Sequence, residues 1–176
     1  MTTRPVMRLL APVLFLAVAC GRLSDERAVA LVRHYNQQNI EAFRTGDARI
    51  TEPYTGTEEG KKLLGLIGIR LDQGRTLDAE LLEFEPLGVT RDGDAVLVRT
   101  RERWHWVERK IGTGQPVGLD STDRYLMTYR LEQVEGRWVV VDTRFTEPPV
   151  IGRPADPWTT TPRDAHGLPE KTGTAP

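Results

Sequence analysis

This 176-residue chain has one cysteine, three histidines and four lysines, and it lacks an apolar run long enough to span a bilayer. The longest apolar stretch runs from Leu9 to Ala19, about 11 residues where a spanning helix needs about 20. A single thiol cannot close a disulfide within the chain. The histidines, His34, His105 and His166, are scattered, whereas a metal site needs clustered ligands. There is no HExxH, no P-loop and no GxSxG. The glycine-rich "GTGQPVG" joins strands rather than opening a helix, so it lacks the dipole that makes such loops hold phosphate. The net charge is −1, which leaves no basic footprint for nucleic acid. Neither a cofactor nor a metal is expected.

The one cysteine, Cys20, follows a segment with Arg4 and Arg8 and no acid, then the short apolar run, then Ala17, Val18 and Ala19. A basic start, a short apolar stretch and small residues before a cut describe an export signal. The placement of Cys20 directly after the alanines resembles the bacterial lipobox. That resemblance implies cleavage before Cys20, a diacylglyceryl thioether on it and a membrane-held protein. One acyl chain binds a bilayer reversibly, and two or more anchor it. The alternatives are an ordinary export signal or a free thiol in an apolar segment. Gly21 rather than an acid follows Cys20. In the sorting habit of Gram-negative lipoproteins this implies the outer membrane, facing the periplasm. Loss of Arg4 and Arg8 with residues 1–19 moves the net charge from −1 to −3. Residues 20–176 suffice for one domain with its own core.

Residues Leu23 to Thr45 read as a helix capped by Ser24, with Ala28, Leu31, Val32 and Tyr35 on one stripe and Gly46 as its stop. Asp47 starts a short turn expected to end before Pro53. Thr57 reads as the cap of a second helix. Its "KKLLGLIGIRL" is apolar over most of its circumference, which predicts a largely buried helix with Gly65 and Gly68 at close packing contacts. After Gly74 the period becomes two. Two strands meet at Asp92-Gly93, a hairpin signal, and Pro86 predicts a bulge. "IGTGQPVGLDSTD" reads as a long turn, followed by the strands "RYLMTYRLEQV" and "WVVVDTRFTE". From Pro148 to Pro176 the chain is rich in proline, threonine and glycine, which predicts a disordered tail. The fold class is α+β, with N-terminal helices packed in a strongly curved four-stranded antiparallel sheet over residues 20–147.

The helix ending in "AFRTGDA", the apolar second helix and the hairpin "YLMTYRLEQVEGRWVVVDTRF" together resemble the NTF2-like (cystatin-like) superfamily. Within it the chain is most similar to the intermembrane-space domain of plastid division proteins and their bacterial relatives. The likeness spans Leu23 to Phe145. It implies a bent sheet around the helices with a pocket at the wide end, and no single activity, since members include enzymes, binders and interaction modules.

A period of two puts Val96, Val98, Thr100, Glu102, Trp104 and Trp106 on the inner face of one strand. Glu102 among apolar groups is where desolvation would raise a carboxylate's pKa, as a general acid or base requires. The alternative is a partnered or rim carboxylate. Arg99, Arg101, Arg103 and His105 take the outer face, either as an anion site or paired across to Glu83 and Glu85. In the last strand Trp138, Val140, Asp142 and Arg144 share a face, so Asp142 is a second inward acid. Tyr125, Met127 and Tyr129 form a stripe. The candidate ligand-binding residues are Tyr35, Glu102, Trp104, Trp106, Tyr129 and Asp142, and none is assigned as catalytic. The expected function is a noncatalytic envelope lipoprotein that binds a partner protein or a small apolar ligand. The alternative is an isomerase- or cyclase-like enzyme using a pocket carboxylate. Partner classes are a membrane, through the lipid anchor, and that protein or ligand.

Overall fold

The computed structural model describes residues 22–152. The leader, Cys20 and the chain beyond Gly152 lie outside the described residues. Helix α1 runs Asp25–Thr45, and the Ser24 hydroxyl accepts from the Arg27 N–H at 3.3 Å. Gly46 closes it at φ 76°, donating to the Ala42 carbonyl at 2.8 Å, because only a residue without Cβ takes that conformation freely. A 3-10 helix follows over Ala48–Tyr54, capped by Asp47 and running through Pro53 rather than stopping before it. Helix α2 runs Thr57–Asp72. Its cap is Gly56, not Thr57, which is its first helical residue. A Cβ at position 56 would lie 2.8 Å from the Val141 side chain, so glycine lets α2 start directly against the sheet.

The strands are β1 Arg75–Asp92, β2 Ala95–Lys110, β3 Pro116–Val134, β4 Arg137–Phe145 and β5 Val150–Gly152. They form one five-stranded antiparallel sheet in the order β1-β2-β3-β4, with β5 pairing the first half of β3. The sheet is not closed. Two expectations are corrected here. Most of the stretch predicted as a long turn is strand, since β3 begins at Pro116 and pairs with β2 back to Arg109. The sheet also has a fifth strand, formed by Val150–Gly152 inside the segment predicted as tail. Its pairing with Thr122–Arg124 uses the edge of β3 that β4 leaves open.

Register shifts at Leu81/Glu83, Pro86/Gly88, Val107/Arg109 and Arg130/Leu131 interrupt the ladders. Such bulges bend and twist a sheet, and here α1 lies within the bend. Val32 and Tyr35 of α1 pack with Val96, Val98, Leu131 and Val140 of the sheet. Outside, Arg101 pairs with Glu85 and Arg103 with Glu83, each at 2.6 Å, so these two arginines of the row are cross-strand partners. His105 contacts Asp120 at 3.0 Å.

Helix α2 is not largely buried as its composition predicts. Only Glu59, Leu63 and Ile67 are buried on it, and Leu64, Leu66, Ile69 and Leu71 are exposed. Gly65 and Gly68 face open space rather than a packing contact. The domain has one layer of helix on one sheet, and nothing among the described residues covers the far side of α2.

Candidate functional site

Between α1, α2 and the concave face of the sheet lies a cavity of about 230 Å³. Helix α1 contributes Tyr35, Asn36, Asn39, Ile40 and Phe43, spaced so that they share a stripe. The sheet contributes Ala79 from β1, Glu102, Trp104 and Trp106 from β2, Tyr125, Met127 and Tyr129 from β3, and Thr143 and Phe145 from β4. Helix α2 closes one side with Glu59, Lys62, Leu63 and Leu66. The Trp104 and Trp106 rings stack at 5.0 Å, and Phe43 meets Trp106 edge-on at 6.4 Å. The walls are thus mainly apolar, with seven aromatic side chains among them.

Two carboxylates sit in this cavity, and both are committed to the protein. Glu102 Oε1 accepts from the Tyr129 hydroxyl at 2.8 Å, the Thr100 hydroxyl at 2.7 Å and the Asn36 amide at 3.3 Å. Its Oε2 accepts from the Trp104 indole N–H at 2.7 Å. No cation pairs with it among the described residues, so neutral donors replace the water that burial removed. Glu59 Oε1 accepts from Tyr35 at 2.8 Å and Thr143 at 2.9 Å, and its Oε2 from Lys62 at 3.1 Å. Burial pushes the Tyr35 and Tyr129 hydroxyls well above the ordinary tyrosine range, and the charges of Glu59 and Glu102, respectively, add to it. The Tyr125 hydroxyl is also raised, first by burial and then by its hydrogen bond to Asp123 at 2.7 Å.

Five of the six predicted ligand-binding residues line the cavity: Tyr35, Glu102, Trp104, Trp106 and Tyr129. Asp142 does not. Strict alternation put it on the inner face, but the bulge opposite Arg130/Leu131 inserts Val141 between residues paired to the sheet. The inner position then falls to Thr143, and Asp142 turns out toward Lys62, at 2.6 Å, and Arg144. Burial raises the Asp142 carboxyl, but hydrogen bonds from Lys62 and Arg144 outweigh it and hold the group below the usual aspartate value. Sequence reasoning missed Asn36, Asn39 and Glu59. The signal was present: Asn36 and Asn39 interrupt the apolar spacing Val32, Tyr35, Phe43, and Glu59 stands one helical turn before Leu63 and two before Ile67. Asn39 Oδ1 is buried in the cavity wall without a partner.

A larger pocket of about 900 Å³ lies at the start of α1, beside the β1–β2 turn. Some of its charged groups are paired: Arg91 bonds the Leu23 carbonyl and Asp25, and Arg130 bonds Asp92 and Glu132. Among the described residues no group of acids and histidines could hold a metal, and no helix is long and apolar enough to cross a membrane.

The bent sheet, the helices in its curve and the cavity between them define an α+β fold. The intermembrane space region of the chloroplast protein ARC6 superposes with a TM-score of 0.62 at 14% identity, over 71% of this chain and 98% of that one. An NTF2-like protein of unknown function from Shewanella oneidensis MR-1 matches over 68% of this chain and 99% of its own, at 16% identity and a TM-score of 0.39. A ketosteroid isomerase-like protein from Erwinia carotovora atroseptica SCRI1043 covers 68% of this chain and 97% of its own, at 14% identity and a TM-score of 0.39. The likeness to the ARC6 region concerns the fold alone. No protein-family model and no curated protein matches the sequence.

Proposed function

We propose that this protein is an envelope lipoprotein, anchored through Cys20, whose cavity holds a small amphipathic molecule without transforming it. The carrying observation is the contrast between the cavity's aromatic walls and its two carboxylates. A general base needs a lone pair free to take a proton. Glu102 Oε1 receives three donors and Glu59 Oε1 two, so only the Oε2 of each, with one donor, keeps a lone pair. That favours binding over the isomerase-like alternative.

Size supports a small occupant. A cavity of about 150 Å³ accommodates benzene, so 230 Å³ suits one substituted ring. The apolar body would lie among Phe43, Trp106, Met127 and Phe145. A donor on the ligand would meet Asn39 Oδ1, and an acceptor would meet half-exposed Lys62. The α1 residues of the cavity lie about 15–27 Å along the helix from its start, and that start is five residues beyond Cys20.

Native mass spectrometry of the full-length protein, released from its membrane in mild detergent, tests this reading. A one-to-one adduct of single-ring size is expected, and Ala79→Leu, which fills the cavity from β1, should lose it. An adduct undiminished by Ala79→Leu, or no adduct in either protein, contradicts the proposal.

A further inference from the structure

The walls of the cavity keep more free acceptors than free donors. Every hydroxyl and indole N–H that lines it is already given to the protein. Tyr35 and Thr143 donate to Glu59, Tyr129 and Trp104 to Glu102, Trp106 to Tyr125, and Tyr125 to Asp123. The acceptors are not used up. Glu102 Oε2 takes one donor, Glu59 Oε2 takes one, and Asn39 Oδ1 takes none. Asn39 stands one helical turn beyond Asn36, whose amide bonds Glu102, so the Asn39 and Glu102 acceptors belong to one side of the cavity.

Charge points the same way. Lys62 is the one cation among the lining residues. It is drawn to Glu59 at 3.1 Å and to Asp142 at 2.6 Å, so it offsets Glu59 and leaves Glu102 without a counter-charge. The four groups that donate to Glu102 suit an ionised carboxylate, which can only accept. They spread its charge without cancelling it, and a buried anion that lacks a cation is costly. An anionic ligand would add a second uncompensated charge. A neutral ligand would leave the first in place. The rings favour a cation as well. An aromatic face attracts one lying within about 6 Å of its centroid, tryptophan most strongly. Among the described residues, Phe43 is the one lining ring that already has such a cation, the Arg70 guanidinium at 5.7 Å.

We propose that the occupant of this cavity is an organic ammonium cation: a single ring, or an apolar body of that size, carrying a primary or secondary amine that is protonated at neutral pH. Its N–H groups are received on the side of Glu102 and Asn39, and its charge lies among the ring faces. The proposal rests on the reading of the cavity as a binding site and adds the charge of what is bound.

Titration of the full-length protein in mild detergent with benzylammonium, benzyl alcohol and benzoate at pH 7, each followed at the Trp106 indole N–H resonance, tests this. The three probes share a ring and differ in the charge of the group it carries. Benzylammonium is expected to bind at least about tenfold more tightly than benzyl alcohol, and benzoate more weakly than either. Glu102→Gln should bring the ratio of benzylammonium to benzyl alcohol affinity to within about threefold. The ratio isolates charge, because a general loosening of the domain would weaken all three probes. Benzyl alcohol or benzoate binding as tightly as benzylammonium overturns the proposal and leaves the binding reading standing, a comparison made in the parent protein whether or not the variant folds. A ratio unchanged by Glu102→Gln also overturns it. Saturation by none of the three removes the binding reading and the proposal with it.

Discussion

Replacing Tyr129 by phenylalanine deletes one oxygen from the centre of the buried network and leaves the ring in place. The hydroxyl donates to Glu102 Oε1 at 2.8 Å and meets the Asn36 amide at 3.1 Å, and the residue is buried. A hydrogen bond to a charged group contributes about 1.5–3 kcal/mol and a neutral one about 0.5–1.5 kcal/mol. The residue is buried but lines the cavity, so water entering there offsets only part of this loss. The ring keeps its edge-on contact with Tyr35 at 6.0 Å, and the packing loss is small. The expected cost is therefore about 2–4 kcal/mol, taken mostly from the Glu102 bond. For a domain of this size that lowers the melting midpoint by about 8–15 °C. Thermal unfolding followed by circular dichroism, on the full-length protein and the variant in one detergent, measures it. A midpoint within about 2 °C of the parent would refute the view that neutral donors hold the Glu102 carboxylate in place.

Glu102→Gln follows the same logic. Its amide nitrogen must face a donor wherever it turns, so a loss of about 1–3 kcal/mol is expected, read as a shift in urea midpoint with an unchanged slope. Alkaline unfolding has a defined sign. Tyr35 and Tyr129 have folded pKa values raised above the unfolded value, so the stability they contribute is complete below about pH 10 and falls above it. The slope approaches about 1.4 kcal/mol per pH unit for each. Phenolate absorbance should appear with unfolding rather than before it, and Tyr129→Phe should reduce the slope. Cys20→Ser is expected to abolish fatty-acid labelling and release the protein from the membrane fraction or leave it unprocessed, and equal labelling of both proteins would remove the lipoprotein assignment.

The sequence made the period-two elements legible. The inner face of β2 is as alternation predicts, because β2 from Val96 to Trp106 pairs with β3 without a break. Asp142 was misplaced because a single bulge in β4 reverses the face of everything after it, and no residue there announces a bulge as Pro86 does in β1. The ends of α1 were readable from Ser24 and Gly46, since capping is local chemistry. The burial of α2 was not, because an apolar circumference does not say how many layers the domain has. The first half of β3 looked like a turn because Gly114 and Gly118 flank Pro116, yet a proline at the first position of a strand leaves the later ladder intact. The polar half of the site went unread for another reason. Asn36, Asn39 and Glu59 look like surface residues until the sheet curls over the helix stripes that carry them.

The central claim is that the cavity among the aromatic residues takes up a ring-sized molecule while its carboxylates stay engaged with the protein. A titration with phenol, followed by the indole N–H resonances of the full-length protein, addresses it most directly. Trp104 and Trp106 line the cavity, and Trp138 borders the separate depression at the other end of the domain. The account predicts saturable shifts of the Trp104 and Trp106 signals with a Kd of about 1 mM or tighter, a still Trp138, and no saturable shift in Ala79→Leu. Shifts shared by all three indoles, or no saturation at Trp106, would contradict it.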